Sequence, residues 1–247
     1  MTKETISAVS RTSWKRLDAM RDKDIDLSEI PEITAAQMAR AKLRVAGKPI
    51  QNGFPQIQVT RKDGSECFSM NNNPCDATLL DFWCWSTSDL VSNATRGVLA
   101  EYIVASALGL TNGVREQWKA FDLEYRGEKI EVKSAAYLQS WYHRELSKIT
   151  FPIRPTRNWD ASTNVQSKTA RRRASIYVFC VLDHKDKATL DPLNLDQWRF
   201  YILDATVLNR KLGKQKSVGL TGLLKLKPRQ ARYDKIKICI EEISRRR

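Results

Sequence analysis

The spacing of apolar residues in the second half of the chain predicts alternating helical and extended segments. Apolar side chains recur every three or four positions over Asn93–Leu108 and stop at Gly109, which is typical of a helix that buries one face. Trp118–Tyr125 and Lys129–Ala135 instead alternate with a period of two on either side of the turn Arg126–Glu128. That period predicts a β-hairpin.

Other apolar segments extend this pattern to the end of the chain. Ser175–Leu182 is almost entirely apolar, which predicts a central strand covered on both faces. The same criteria predict a helix at Ala77–Trp85, a strand at Trp198–Leu203, and helices at Ala205–Leu212, Val218–Leu226 and Arg229–Ser244. The fold class expected for residues 76–247 is therefore α/β, with a mixed sheet flanked by helices.

Residues 1–75 are predicted to form an accessory region that is helical first and loop-rich afterwards. Thr34 and Gln37 have the spacing of a capping box, in which each side chain satisfies a backbone N–H group at the start of a helix. The helix is expected to run to about Ala46 and to stop at Gly47.

Glycine, proline and asparagine residues after this helix predict loops up to a domain boundary near residue 75. Two short strands, Ile57–Val59 and Glu66–Met70, are expected on either side of a turn at Asp63–Gly64. Residues 1–45 resemble the leader of ribbon–helix–helix antitoxins of the BrnA type. That segment contains no chemical motif, so the resemblance implies no activity.

The composition argues against several classes of protein. The 247 residues contain no run of about 20 uncharged apolar residues, and the N-terminus lacks an apolar signal core, so a cytoplasmic protein without a membrane span is expected. Five cysteines without a CxxC pair and only two histidines argue against a disulfide framework, structural zinc and a multi-histidine nuclease site. Carboxylates, lysine and a hard metal ion are the groups left for catalysis.

The positive charge of the chain is concentrated in its C-terminal part. The formal net charge is +14, and residues 151–247 contribute 22 basic against 9 acidic side chains. This asymmetry favours a polyanionic partner such as nucleic acid, although a solubilising surface of lysines has the same composition.

The predicted hairpin carries charged residues on the face opposite its apolar side chains. Asp122 and Glu124 project from the first strand, and Glu131 and Lys133 project from the second. Pairing of the strands is expected to bring Asp122 close to Glu131. Two adjacent carboxylates repel each other, and a divalent cation bound between them removes that repulsion. The alternative is that Glu131 and Lys133 form only an exposed ion pair.

An acid on one strand followed by Glu-x-Lys on the next resembles the PD-(D/E)xK nuclease superfamily, which has the restriction-endonuclease-like fold. The resemblance spans roughly residues 93–205, although Phe121 stands where the motif has proline. It implies a catalytic set of Asp122, Glu131, Lys133, Glu101 on the preceding helix, and Gln139. It also implies Mg²⁺, with Mn²⁺ as a substitute, bound by Asp122, Glu131, the carbonyl of Val132, and Glu101. Gln139 is equally well interpreted as a loop amide bonded to backbone.

The function implied by this resemblance is a metal-dependent endonuclease that hydrolyses DNA, for example in restriction or phage defence. Two alternatives remain open from the sequence: a non-catalytic nucleic-acid-binding or regulatory module of the same fold, and an RNA nuclease. DNA is the expected partner, RNA stays open, and a homodimer is a further possibility.

A basic segment lies between the predicted Glu-x-Lys strand and the next strand. Its cations are expected to contact the phosphates of a nucleic acid, or else to form a flexible basic loop; they are Lys168, Arg171, Arg172 and Arg173. Trp141, Tyr142 and Trp159 flank the segment and are candidates for stacking on bases or for ordinary packing.

Overall fold

The computed structural model describes residues 13–21, 33–41, 44–45, 48–49, 57–160 and 164–247. The chain divides into two compact units, residues 1–54 and 55–247. The boundary predicted near residue 75 therefore falls inside the second unit.

The first unit contains two short helices and a small hairpin in its described residues. These are α1 (Trp14–Ala19), α2 (Ala35–Arg40), β1 (Arg44–Val45) and β2 (Lys48–Pro49). The predicted capping box at Thr34 and Gln37 is confirmed, since both reciprocal hydrogen bonds are present. The helix is shorter than predicted, because Ala41 already has an extended backbone; Ala46 and Gly47 lie outside the described residues.

The second unit alternates strands and helices. Its elements are β3 (Cys67–Met70), β4 (Asn73–Thr78), α3 (Leu79–Thr87), α4 (Asn93–Leu108), β5 (Leu123–Tyr125), β6 (Glu128–Ala136), β7 (Thr150–Pro152), β8 (Trp159–Asp160), β9 (Val165–Gln166), β10 (Ile176–Leu182), β11 (Trp198–Asp204), α5 (Ala205–Leu212), β12 (Ser217–Gly219), α6 (Leu220–Lys225), β13 (Arg229–Ala231) and α7 (Ile236–Ser244).

A five-stranded sheet in the order β13-β11-β10-β6-β5 forms the centre of this unit. Strands β6 and β10 run parallel and the other neighbours run antiparallel, so the predicted mixed sheet is confirmed. All seven residues of β10 are buried, as its apolar sequence predicts.

Two hydrophobic clusters cover the two faces of the sheet. The first joins α4 and α7 to one face through side chains such as Val104, Val132 and Ile240. The second joins α5, α6, β7 and β12 to the other face through side chains such as Phe151 and Phe179. Strand β6 points Ile130, Val132 and Ala136 into the first cluster and Ala135 into the second, so Glu131 and Lys133 lie on the same face of the strand as Ala135.

Helix α4 agrees with its prediction at both ends. It spans Asn93–Leu108 and ends at Gly109, whose φ of 74° lies in the left-handed region. The N–H of Gly109 donates to the carbonyls of Ala105 and Ser106, so the last turn keeps its hydrogen bonds.

The first strand of the predicted hairpin is shorter than expected. Only Leu123–Tyr125 is extended, and the turn uses positive φ at Arg126 and Gly127. Phe121 packs into the cluster opposite to that of Leu123 and Tyr125, so the prediction that the three share one face is wrong. Next to this strand end, the N–H of Val132 on β6 donates to the side chain of Asp122.

Several other predicted elements differ from the structure. Residues 57–59 form no strand, and the turn between β3 and β4 lies at Asn71–Asn72, where both residues have positive φ. The helix predicted over Arg229–Ser244 begins only at Ile236, because Arg229–Ala231 adds an edge strand beside β11. Likewise, the segment before α6 pairs with β7 as β12.

No helix in the described ranges is long and apolar enough to cross a membrane. All five cysteines are free thiols.

Candidate active site

Asp122 lies at the edge of the sheet, immediately before β5. Its N–H donates to the carbonyl of Ile130, and continuing the register of β5 by one residue sets it opposite Glu131. Its Oδ2 accepts a hydrogen bond of 2.7 Å from the N–H of Val132. Ile130 and Val132 are two residues apart on β6, so their backbone groups point to the same side of the strand. The carbonyl of Val132 therefore also faces this edge. The prediction that the hairpin brings Asp122 to Glu131 agrees with this geometry.

The environment of Asp122 disfavours its charged form. Burial, followed by the negative charges of Glu131 and Glu101, raises the pKa of the Asp122 carboxyl from 3.8 to about 7. The hydrogen bond from Val132 and the charge of Lys133 lower that pKa, but they compensate only in part. Asp122 therefore stands in a region of excess negative potential, which a cation would relieve.

Glu131 and Lys133 are neighbours on one face of β6. The Nζ of Lys133 lies 2.5 Å from Oε1 of Glu131, and both side chains keep about a fifth to a quarter of their surface exposed. The ion pair proposed as an alternative interpretation is thus present, although it is partly buried. Its ammonium group remains next to the carboxylate that borders Asp122.

Glu101 reaches the site from α4, where it is held by an arginine that the sequence pattern does not indicate. Nε and Nη2 of Arg115 lie 2.5 and 2.8 Å from the two carboxylate oxygens of Glu101. The charge of Arg115 also acts on Asp122. Arg115 comes from a loop without periodicity, so no spacing in the sequence predicts this bidentate pair.

Gln139 lies in a separate buried network. Its side-chain amide donates to the carbonyl of Ala136 and to Oγ of Ser147, and its Oε1 accepts a 3.4 Å hydrogen bond from Arg96. Gln139 does not line the cavities that Asp122 and Glu131 border. Gln139 is thus a loop amide that bonds to backbone, as in the alternative interpretation. It does not lie with Asp122 and Glu131 in one cavity.

One open cavity joins the acids to an aromatic wall. This acid cavity, of about 300 Å³, is bordered by Asp122 and Glu131 and also by Trp118, Trp159 and Arg173. The rings of Trp118 and Trp159 meet edge to face with centroids 5.6 Å apart, and both remain partly exposed. Trp118 was predicted as a strand residue, so its place beside the acids is information that only the structure supplies.

The basic segment separates into cations with different surroundings. Lys168 and Arg171 are exposed. Arg172 turns inward and donates to the carbonyls of Ile153, Gly213 and Gln215 and to the side chain of Asn209. Most donors of the Arg172 guanidinium are thus occupied by the fold itself, and the contact of the four cations with phosphate stays a prediction.

Trp141 and Tyr142 are exposed, but they line none of the cavities next to the acids.

The donor atoms at this edge suit a hard cation. In the described part of the chain, no three His, Cys, Asp or Glu side chains gather closely enough to bind a metal ion as they stand. Asp122 and Glu131 border one cavity, and carboxylate and carbonyl oxygens are the ligand type that Mg²⁺ prefers. Each carboxylate oxygen of Glu101 accepts one bond from Arg115, which leaves further lone pairs on both oxygens.

The raised pKa of Asp122 has a consequence for stability. The folded state retains the proton between pH 3.8 and about 7, so the free energy of unfolding decreases as the pH rises through that window. With EDTA present, Asp122→Asn is expected to raise the free energy of unfolding by about 1–3 kcal/mol at pH 8 and to change it little at pH 4. Urea unfolding at both pH values measures this; an equal effect at pH 4 and pH 8 would contradict the raised pKa.

Comparison with known proteins identifies the family of this chain. No curated protein and no solved structure matches it. The model of the bacteriophage T4 endonuclease IV family matches residues 6–221, which are 216 of the 247 residues and include all of the acids described above. The chain therefore belongs to the bacteriophage T4 endonuclease IV family.

Proposed function

We propose that this protein is a divalent-metal-dependent endonuclease that hydrolyses phosphodiester bonds in DNA, with Asp122, Glu131 and Lys133 as its catalytic residues. The observation that carries the proposal is the juxtaposition at the edge of β6. There, burial and the negative charge of Glu131 raise the pKa of Asp122, and the ammonium group of Lys133 lies 2.5 Å from Glu131. Membership in an endonuclease family supports cleavage of phosphodiester bonds as the reaction of this site.

The arrangement has the chemistry that hydrolysis of a phosphodiester requires. Asp122, Glu131 and the Val132 carbonyl would hold Mg²⁺ or Mn²⁺, which supplies Lewis acidity and lowers the pKa of a bound water. Lys133 would donate to a phosphate oxygen and stabilise the negative charge that develops when water attacks phosphorus and the P–O bond breaks. Glu131 keeps the Lys133 ammonium in position through their ion pair.

We further propose that the second unit has the restriction-endonuclease-like fold and that the site is of the PD-(D/E)xK type. Its support is the order of elements: helix α4 with Glu101, then strand β5 preceded by Asp122, then strand β6 with Glu131 and Lys133. The mixed sheet and the two covered faces agree with that assignment.

Exposed cations and aromatic residues supply a surface for the substrate. Lys168 and Arg171 are free to contact backbone phosphates, which would make binding depend on salt. Trp118 and Trp159 line the acid cavity, and their exposed rings offer a stacking surface for an unpaired base next to the scissile bond.

Incubation of the purified full chain with plasmid DNA, single-stranded DNA and structured RNA tests the proposal. Cleavage of DNA with Mg²⁺ and none with EDTA is expected. Preferential cleavage of RNA would favour the RNA nuclease, and binding of DNA without cleavage under any divalent cation would favour the non-catalytic module.

The aromatic wall gives a separate prediction. Trp118→Ala and Trp159→Ala are each expected to weaken binding of single-stranded DNA by about tenfold, because one base–aromatic stack contributes roughly 1–3 kcal/mol. Fluorescence anisotropy in EDTA measures binding without cleavage. Trp85→Ala, which removes a tryptophan that is 85% exposed on α3, is the matched control. Equal losses in all three variants would exclude a specific stacking site.

A further inference from the structure

A second cavity also borders Glu131, and four of its ten lining residues are cations. This arginine cavity has a volume of about 140 Å³ and is bordered by Glu131, Lys133, Arg154, Arg172 and Arg173. Among the described residues that line it, Glu131 is the one acid, and its carboxylate forms an ion pair with the ammonium of Lys133. Three arginines that form no ion pair within the described part of the chain therefore border a space large enough for several water-sized groups.

Arg173 has an unsatisfied donor at this position. Its Nη2 donates to Oγ of Ser167 at 2.6 Å, but its Nε is buried without a hydrogen-bond partner within the described ranges. A buried donor of a charged group is costly to leave unpaired, so the site is incomplete without a further acceptor. Arg173 also borders the acid cavity, which places it between the two cavities and beside Glu131.

Arg154 and Arg172 also line the arginine cavity, but their guanidinium groups differ in the hydrogen bonds that they form. Arg154 is exposed, and its guanidinium forms no hydrogen bond or ion pair with the residues that the structure describes. The guanidinium of Arg172 is committed to four protein acceptors. Lys133 is assigned to the scissile phosphate above, so Arg154 and Arg173 are the further cations of this cavity that can bind an anion.

We infer that Arg154 and Arg173 form a subsite for a single backbone phosphate next to the scissile one. The inference rests on the proposed endonuclease function and adds to it a defined phosphate contact. Phosphate is the anion that fits, because a guanidinium binds two of its oxygens through parallel N–H donors. The location next to Glu131 and Lys133 sets the bound phosphate within the same strand segment as the reacting one.

A methylphosphonate scan tests this subsite. The bond that the wild-type chain cleaves in a short DNA oligonucleotide is first mapped with Mg²⁺. Oligonucleotides are then prepared in which one phosphate near that bond is replaced by a neutral methylphosphonate. Affinity for each is measured in EDTA by fluorescence anisotropy at low salt. The wild-type chain is expected to lose about tenfold in affinity at one or two positions adjacent to the cleaved bond.

Variants of Arg154 and Arg173 test whether these two arginines contact the phosphates at those positions. In Arg173→Gln and Arg154→Gln, the penalty at the same positions is expected to decrease by at least about threefold, since the phosphate has already lost one of its two arginine partners. Arg154 is exposed and makes no internal bond, so its variant remains informative if Arg173→Gln folds poorly. Arg210→Gln, which removes an exposed arginine on α5, is the matched control and should retain every positional penalty.

Two outcomes would overturn the subsite. One is an unchanged pattern of penalties in both Arg173→Gln and Arg154→Gln. The other is the absence of any position-specific penalty in a wild-type chain that cleaves DNA. Failure of the proposed function looks different, because the wild-type chain would then cleave no DNA under any divalent cation.

Discussion

Asp122→Asn and Glu131→Gln are each expected to reduce the rate of DNA cleavage by at least about 10³-fold in Mg²⁺. Each change removes a negative oxygen donor from the proposed cation site, and the lost stabilisation of transition-state charge is several kcal/mol, at about 1.4 kcal/mol per factor of ten. Both replacements keep the size of the side chain and an acceptor oxygen. Gel-based cleavage of single-stranded and plasmid DNA at saturating enzyme measures the effect.

Glu124→Gln is the matched control for this pair. Glu124 is an exposed carboxylate on β5, two residues beyond Asp122 and opposite Lys129, so its loss should leave the rate within about twofold. Circular dichroism establishes that all three variants are folded. Near-wild-type cleavage by a folded Asp122→Asn or Glu131→Gln variant would show that the reaction occurs elsewhere.

Lys133→Ala is expected to separate chemistry from binding. Loss of one donor to the developing charge should lower the cleavage rate by about 10²–10³-fold. DNA affinity in EDTA should change little, because one cation is a small part of the basic surface. A parallel loss of binding and cleavage would instead make Lys133 a substrate contact.

The second large effect concerns stability. Arg172→Ala is expected to lower the free energy of unfolding by about 2–4 kcal/mol, because three carbonyls and one amide lose a charged donor at once. The corresponding decrease in melting temperature is roughly 5–15 °C. Thermal unfolding followed by circular dichroism measures it.

Arg171→Ala is the neighbouring control for stability. The side chain of Arg171 is exposed, so its replacement should change the free energy of unfolding by no more than about 0.5 kcal/mol. Equal melting temperatures for the two variants would mean that Arg172 does not connect the segment before β10 to the loop after α5.

The sequence was most informative where local and tertiary preferences agree. Helix α4 has both an apolar face and a glycine stop, and its bounds were predicted from Asn93 to Leu108. The hairpin that pairs β5 with β6 was predicted from period-two alternation around Gly127. Because register follows from that alternation, the proximity of Asp122 and Glu131 was also predictable.

Prediction from sequence failed where a segment's partner decides its conformation. Arg229–Ala231 has no strand pattern of its own, yet β11 has an open edge, and pairing there satisfies its backbone groups. The same reason explains β12 beside β7. In each case the hydrogen bonds come from residues distant in the chain, which a local pattern does not contain.

The sequence by itself determined the mixed α/β character of the second unit, the helix that carries Glu101, and the hairpin that carries Asp122, Glu131 and Lys133. Only the tertiary structure decided what each charged side chain meets. In the structure, Arg115 binds Glu101, Arg172 donates to backbone carbonyls, and the buried Nε of Arg173 has no partner among the described residues. The physical reason is the separation of the interacting residues along the chain. Periodicity indicates which face of a single helix or strand is buried. The partner of a charged side chain depends instead on which distant loops the packed sheet brings together.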